Sequence, residues 1–208
     1  MKQDPFAQVR QAHRICGAYY QQILPMINEA AQKSGTSFLL WEVWSFNKPP
    51  NKRTNPLETW KWNYLPMLNV SFVFSKQQQA NTAMTPGDYV LDFKLVTDSE
   101  LEYHQRELQY GAEEPVATTL AISAEEAKSY LNVSLFSPVN NDDSYASPED
   151  MWESYAGYPQ TDSAIYFSDN KQIKGIAFNV PLTDIVNDNC VNWLVDSIAE
   201  HRKRLLES

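Results

Sequence analysis

Within the stretch Asp88-Tyr-Val-Leu-Asp-Phe-Lys94, two carboxylates and an amine sit at alternate positions. An extended chain sends successive side chains to opposite faces, so Asp88, Asp92 and Lys94 project together. A carboxylate and an ammonium so placed can hold a divalent cation and steady an attacking water, the chemistry of a metal-dependent hydrolase or nuclease. The matching motif is only the tripeptide Asp-x-Lys, which also occurs on the solvated faces of ordinary strands.

A second set is Glu42 with Trp44, Trp60 and Trp62. Indole faces beside a carboxylate suit a sugar ring or an organic cation. The structural alternative puts these tryptophans in the core and pairs Glu42 with Lys61 or Arg53. A third set is acidic: Glu113, Glu114, Asp142, Asp143, Glu149 and Asp150, with Glu100, Glu102, Glu107 and Glu153 nearby in sequence. Gathered on one face, these would steer a basic protein into contact.

Other chemistries lack their motifs. The six glycines are scattered, and neither G-x-G-x-x-G nor G-x-x-x-x-G-K-[ST] occurs. There is no G-x-S-x-G elbow. His13, His104 and His201 fall in separate elements, the two cysteines lie far apart, and no set has zinc-ligand spacing, so neither metal nor cofactor is expected. His13 reads as a core histidine on an apolar helical stripe.

The 208 residues fit one domain. A hydrophobic fraction of 43% argues against disorder. No apolar run reaches the roughly 18 residues of a membrane span. The first residues lack the apolar stretch of a secretory signal, so the expected location is cytoplasmic, with Cys16 and Cys190 as buried thiols. A net charge of −9 opposes nucleic acid and anionic lipid as partners.

The elements that must hold these residues follow from periodicity. Phe6, Val9, His13, Cys16, Tyr20, Ile23, Ile27 and Ala30 trace one helical face, begun at Asp4-Pro5, interrupted at Pro25 and stopped at Gly35. Phe38–Phe46 reads as a strand apolar on both faces, hence central, and the aromatic segment from Ser37 to Lys76 as the middle of the core. Trp60, Trp62 and Tyr64 alternate like a half-buried strand, and Leu68–Phe74 continues as another, with Asn69 and Ser71 outward. In the next strand Tyr89, Leu91, Phe93 and Leu95 share the face opposite Asp92. Capping boxes at Ser99 and Ser123 open short helices on either side of a strand at Val116–Ile122. A strand over Asn132–Val139 leads to a helix starting at Ser147-Pro148. A hairpin of Ala164–Phe167 with Ile173–Val180 precedes a helix carrying Val191, Leu194, Val195, Ile198, Arg202 and Leu205. Asn69 and Asn132 match glycosylation acceptors but read as strand residues.

The resulting expectation is an α+β protein: one domain over residues 1–208, with a single, mainly antiparallel sheet of about six to eight strands. N- and C-terminal helices pack on it, and loops near 47–57, 77–87 and 140–147 are exposed. The absent motifs and acidic charge favour a non-enzymatic binding protein of inhibitor or immunity type that neutralises a basic partner. The alternatives are the metal-dependent hydrolase and the small-ligand or carbohydrate binder.

Overall fold

The computed structural model describes residues 4, 6–79, 83–141, 145–155, 157–185 and 189–208. Its elements run α1 (Phe6–Lys33), β1 (Ser37–Val43), β2 (Asn69–Lys76), β3 (Tyr89–Val96), α2 (Tyr103–Tyr110), β4 (Tyr130–Pro138), α3 (Pro148–Ser154), β5 (Asp162–Phe167), β6 (Ile173–Pro181) and α4 (Cys190–Glu207). One six-stranded sheet has the order β1-β2-β3-β4-β6-β5, and every neighbouring pair is antiparallel. The terminal helices pack against it, as the α+β expectation required.

Alternation along the strands divides the sheet into two different faces. Val70 and Phe74 of β2, Leu91, Phe93 and Leu95 of β3, Leu131, Val133 and Leu135 of β4, and Ile176, Phe178 and Val180 of β6 are buried against α1 and α4. The helices answer with Ile23, Ile27, Ala30 and Ala31 from α1 and Leu194, Ile198 and Leu205 from α4. His201 of α4 stacks on Phe178 at 4.3 Å and bonds the Ser197 carbonyl and Ser163 Oγ, so it is a packing residue. On the opposite face the sheet is polar in the middle: Asn69 and Ser71, Asp92 and Lys94, Asn132 and Ser134 are all buried. A smaller cluster of Val73, Met84, Val90, Phe136, Tyr145, Met151, Trp152 and Ile173 closes part of it.

The centre of the sheet is therefore β3 and β4, and not the tryptophan-rich segment. Every residue of β3 is buried. The strand β1, expected to be central, is an edge: Phe38 is 57% and Trp41 37% exposed. Its aromatic faces shield the sheet margin, Phe38 edge-on to Phe74 at 5.6 Å and Trp41 beneath the Lys48 ammonium. Asn69 and Ser71, expected outward, lie under a second layer of side chains; Asn69 and Asn132 are indeed strand residues.

Three further expectations are corrected. Lys61–Tyr64 is a 3-10 turn, closed by Asn63 N–H to the Trp60 carbonyl and Leu65 N–H to that of Trp62. Pro66 follows directly and has no N–H for a sheet ladder. No strand forms over 116–122, and the capping box at Ser123 closes a single turn before the chain is tied back by Lys128 N–H to Ser99 Oγ. Pro25 does not divide α1. Its ring is exposed, where water can satisfy the carbonyl that loses its donor.

The expected start of α1 holds at Asp4, whose carboxylate accepts the Phe6 N–H at 3.0 Å; Pro5 lies outside the described residues. The stripe on α1, however, is buried only from Ile23 onward. Residues 6–15 are exposed, His13 among them, so His13 is not a core histidine. Cys16 is half-buried and Cys190 buried, both as free thiols. Loop 47–57 is exposed as expected apart from half-buried Pro50, whereas Met84 of the second loop is fully buried.

The relocated core can be measured. Truncating Leu135 to Ala should lower unfolding free energy by about 3 kcal/mol, within the 2–5 kcal/mol usual for buried leucine. Trp41→Ala on the exposed edge should cost less than about 1 kcal/mol. Urea midpoints of the two variants in reverse order would contradict this assignment.

Candidate functional site

The polar sheet face and the segments folded over it make one connected site. Asp92 of β3 is wholly buried, and one of its oxygens, Oδ2, collects three donors. The Trp152 indole N–H reaches it at 2.9 Å, the Ser71 hydroxyl at 3.1 Å, and the Tyr158 hydroxyl also donates to it. Ser71 Oγ in turn accepts the Trp44 indole N–H at 2.8 Å. Three aromatic side chains from three separate segments are thus anchored, directly or through one serine, to a single carboxylate. Oδ1 has no hydrogen-bonding partner among the described residues.

Local sequence explains how each ring arrives. Trp44 follows β1, where its backbone N–H still bonds the Asn69 carbonyl at 3.0 Å. Ser147 caps α3 through the Asp150 N–H at 3.1 Å, with Pro148 in the first turn. That fixes a short helix whose inner side carries Met151 and Trp152 and whose exposed side carries Glu149, Asp150 and Glu153. Gly157 then adopts φ +83°, a conformation that costs a glycine little, and the chain brings Tyr158 to the same carboxylate.

Lys94 lies two residues along from Asp92. Its Nζ stands 2.8 Å from Glu102 Oε1 and 5.3 Å from the ring centres of both Trp44 and Tyr158. Glu102 also caps α2, its Oε2 accepting the His104 N–H at 2.9 Å. Burial pushes the Glu102 carboxyl up, but the Lys94 ammonium and these hydrogen bonds outweigh it and hold the group below its ordinary range. Burial likewise dominates at Asp92 and raises its pKa to about 6, against the opposing pull of Tyr158, Trp152, Ser71 and Lys94. Burial, and then the Asp92 charge, push the Tyr158 phenol well above its usual value.

These residues frame a cleft of about 440 Å³. Trp44, Trp152, Tyr155, Tyr158, Phe136 and Tyr103 form its walls, and Glu42, Lys94, His104 and Glu153 supply polar groups. The rings brace one another, Trp44 against Trp152 at 5.8 Å and Tyr158 at 5.6 Å, and Phe136 against Tyr155 at 4.9 Å. A neighbouring cavity of about 450 Å³ shares Trp44 and is bounded by Phe46, Trp60, Asn63 and Arg106.

The residues singled out in the sequence are distributed unevenly over this site. Asp92 and Lys94 belong to it, but Asp88 does not. The Asp88 carboxylate accepts the Gln78 N–H at 2.6 Å and the Thr85 N–H at 2.9 Å, closing the turn before β3. Among the described residues no group of three or more His, Cys, Asp or Glu is arranged to hold a metal ion. Glu42 and Trp44 line the cleft, but Glu42 pairs with Lys48 at 2.9 Å and with neither Lys61 nor Arg53. Trp60 lines the neighbouring cavity. Trp62 lines neither: it stacks behind Phe46 at 5.6 Å and donates to the Pro115 carbonyl at 2.7 Å.

Of the acidic set, Glu113, Glu149 and Asp150 are exposed and Glu114 is half-buried. Asp142 and Asp143 lie outside the described residues. Glu100, nearby in sequence, is fully buried and accepts the Tyr110 hydroxyl at 2.5 Å. Sequence reasoning missed Trp152 and Tyr158, read Ser71 as an outward strand residue, and noticed Glu102 only as part of the acidic surface and of the capping box at Ser99, not as the partner of Lys94.

Asp92 gives the site a pH signature. Between pH 3.8 and about 6 the folded state holds a proton that the unfolded chain has lost, so stability falls as pH rises through that window. A shift of about 2 units corresponds to about 3 kcal/mol. Asp92→Asn keeps an oxygen for the three donors and removes the titration. Relative to this variant, the wild type should lose about 3 kcal/mol between pH 4 and 7 in denaturant melts. Parallel pH profiles for the two proteins would contradict the assignment.

A family model described as PM0109 matches residues 2–206. No curated protein and no solved structure matches the chain.

Proposed function

The chain belongs to the PM0109 family, and we propose that it is a binding protein whose aromatic cleft takes a small neutral, ring-bearing ligand, in the simplest case a sugar residue. One observation carries this reading: Trp44, Trp152 and Tyr158 are tied into a single hydrogen-bond network centred on Asp92, so the cleft is built before any ligand arrives. A pre-formed pocket spends less binding energy on ordering its own side chains. Its volume of about 440 Å³ falls within the roughly 300–1,000 Å³ usual for small-molecule sites.

Charge pairing favours a neutral occupant. The position of a cation over the rings of Trp44 and Tyr158 is already filled by Lys94, which Glu102 neutralises. Glu42 is likewise matched by Lys48. What these paired groups still offer is hydrogen-bonding capacity for hydroxyls, beside ring faces suited to the C–H side of a sugar. Asp92 has no place in contact with the ligand here; it is a positioning residue.

Calorimetric titration of the full chain with neutral mono- and oligosaccharides should give saturable binding. Trp44→Ala should weaken it at least about tenfold, or 1.4 kcal/mol. Trp193→Ala, an exposed position on α4, should leave it unchanged. Flat titrations across such a panel would remove this reading.

A second reading, an inhibitor or immunity-type protein that neutralises a basic protein, draws on Glu149, Asp150 and Glu153, exposed together on α3 beside the cleft. It expects a protein partner whose association slows as salt is raised. Pull-downs that recover no such partner would leave it without support.

A further inference from the structure

The geometry points to a separate anion site in the cavity beyond Trp44, with the Arg106 guanidinium as receptor for a two-oxygen oxyanion, a carboxylate or a phosphoryl group. Arg106 is 6% exposed and lines this cavity of about 450 Å³. Its guanidinium carbon stands 5.7 Å from the ring centres of both Trp60 and Tyr103, so two aromatic rings hold the group in place.

Only one side of the fork is used. Nη1 donates to the Gly111 carbonyl at 3.1 Å at the end of α2. Nε has no partner among the described residues. The nearest carboxylate oxygen to Nη2, Glu107 Oε1, is 3.7 Å away, beyond hydrogen-bond length. Nε and Nη2 carry the two parallel N–H bonds that grip carboxylate and phosphate in bidentate fashion, and a guanidinium left half-satisfied in a buried place is costly. Asn63 adds a donor. Its amide oxygen accepts the Asn47 N–H at 3.0 Å, which leaves the NH2 as the donor end of a side chain that lines the cavity. Two carboxylates face the site. Glu58 is held by the Asn55 amide at 2.6 Å, and Glu107, half-exposed, also accepts from the Tyr103 hydroxyl.

The test titrates the full chain with sodium phosphate and with sodium benzoate, each against sodium chloride at equal ionic strength, followed by calorimetry and indole fluorescence. Saturable binding of one or both anions, absent with chloride, is expected. Benzoate alone assigns a carboxylate, phosphate alone a phosphoryl group, and both a general oxyanion site. Arg106→Lys keeps the charge and loses the planar fork, so binding should weaken at least tenfold; Glu107→Gln should tighten it. No saturable binding, or equal affinity in Arg106→Lys, overturns the site. Should that variant fail to fold by circular dichroism, Glu107→Gln decides: unchanged or weaker binding overturns it.

Discussion

One buried carboxylate determines how the second face of this protein is built. A sheet face carrying Asn69, Ser71, Asp92, Lys94, Asn132 and Ser134 has no intrinsic reason to be covered, because desolvating those groups is unfavourable. It is covered because Asp92 repays the aromatic layer with hydrogen bonds. Bonds to a charged acceptor contribute about 1.5–3 kcal/mol each, more than neutral ones. The carboxylate therefore acts as an anchor that a hydrophobic residue of equal size could not replace. An apolar side chain there would leave the Trp152 N–H and the Tyr158 hydroxyl buried without an acceptor.

The same arrangement separates structure from recognition. On the helix-covered face the side chains are aliphatic and aromatic and pack into the larger core, with Tyr89 also donating to the Ser34 carbonyl. On the other face the polar row is nearly used up internally: Lys94 by Glu102, Ser71 by Asp92, Asn132 by Asn179 across β4 and β6. What lines the cleft is a set of aromatic rings together with Glu42, Lys94, His104 and Glu153. Unused polar atoms remain on Asn69, with both amide atoms unpaired among the described residues, on Asp92 at Oδ1, and on Arg106 on the far side of Trp44.

Much of the fold was legible because the strands keep a strict alternation. The division of residues 88–96 into Tyr89, Leu91, Phe93 and Leu95 against Asp88, Val90, Asp92, Lys94 and Val96 follows from period two alone; the hairpin of β5 with β6 follows from its Ser-Asp-Asn-Lys turn, and the apolar stripe of α4 from helical spacing. The pattern misled where aromatic residues served something other than the core. Phe38 and Trp41 dress an edge, and Trp60 and Trp62 pack from a 3-10 turn whose spacing resembles a strand over so few residues. Asp92 and Lys94 drew notice as an Asp-x-Lys pair, but their partners Trp152, Tyr158 and Glu102 come from segments up to 66 residues away. Nothing local marks which indole will find which carboxylate, so that part of the site is a property of topology.

The long first helix has a consequence of its own. At 28 residues it is about 42 Å from end to end, yet its outer turns lie almost wholly in solvent. The exposed stretch Phe6–Ile15 falls below the roughly 12–15 residues at which a free helix becomes even marginal in water. Here the packed inner half serves as the nucleus from which helical turns grow outward, so backbone amide protection should decline stepwise from Ile23 towards Phe6. The arm then melts in its own local equilibrium, while the sheet beneath it stays intact.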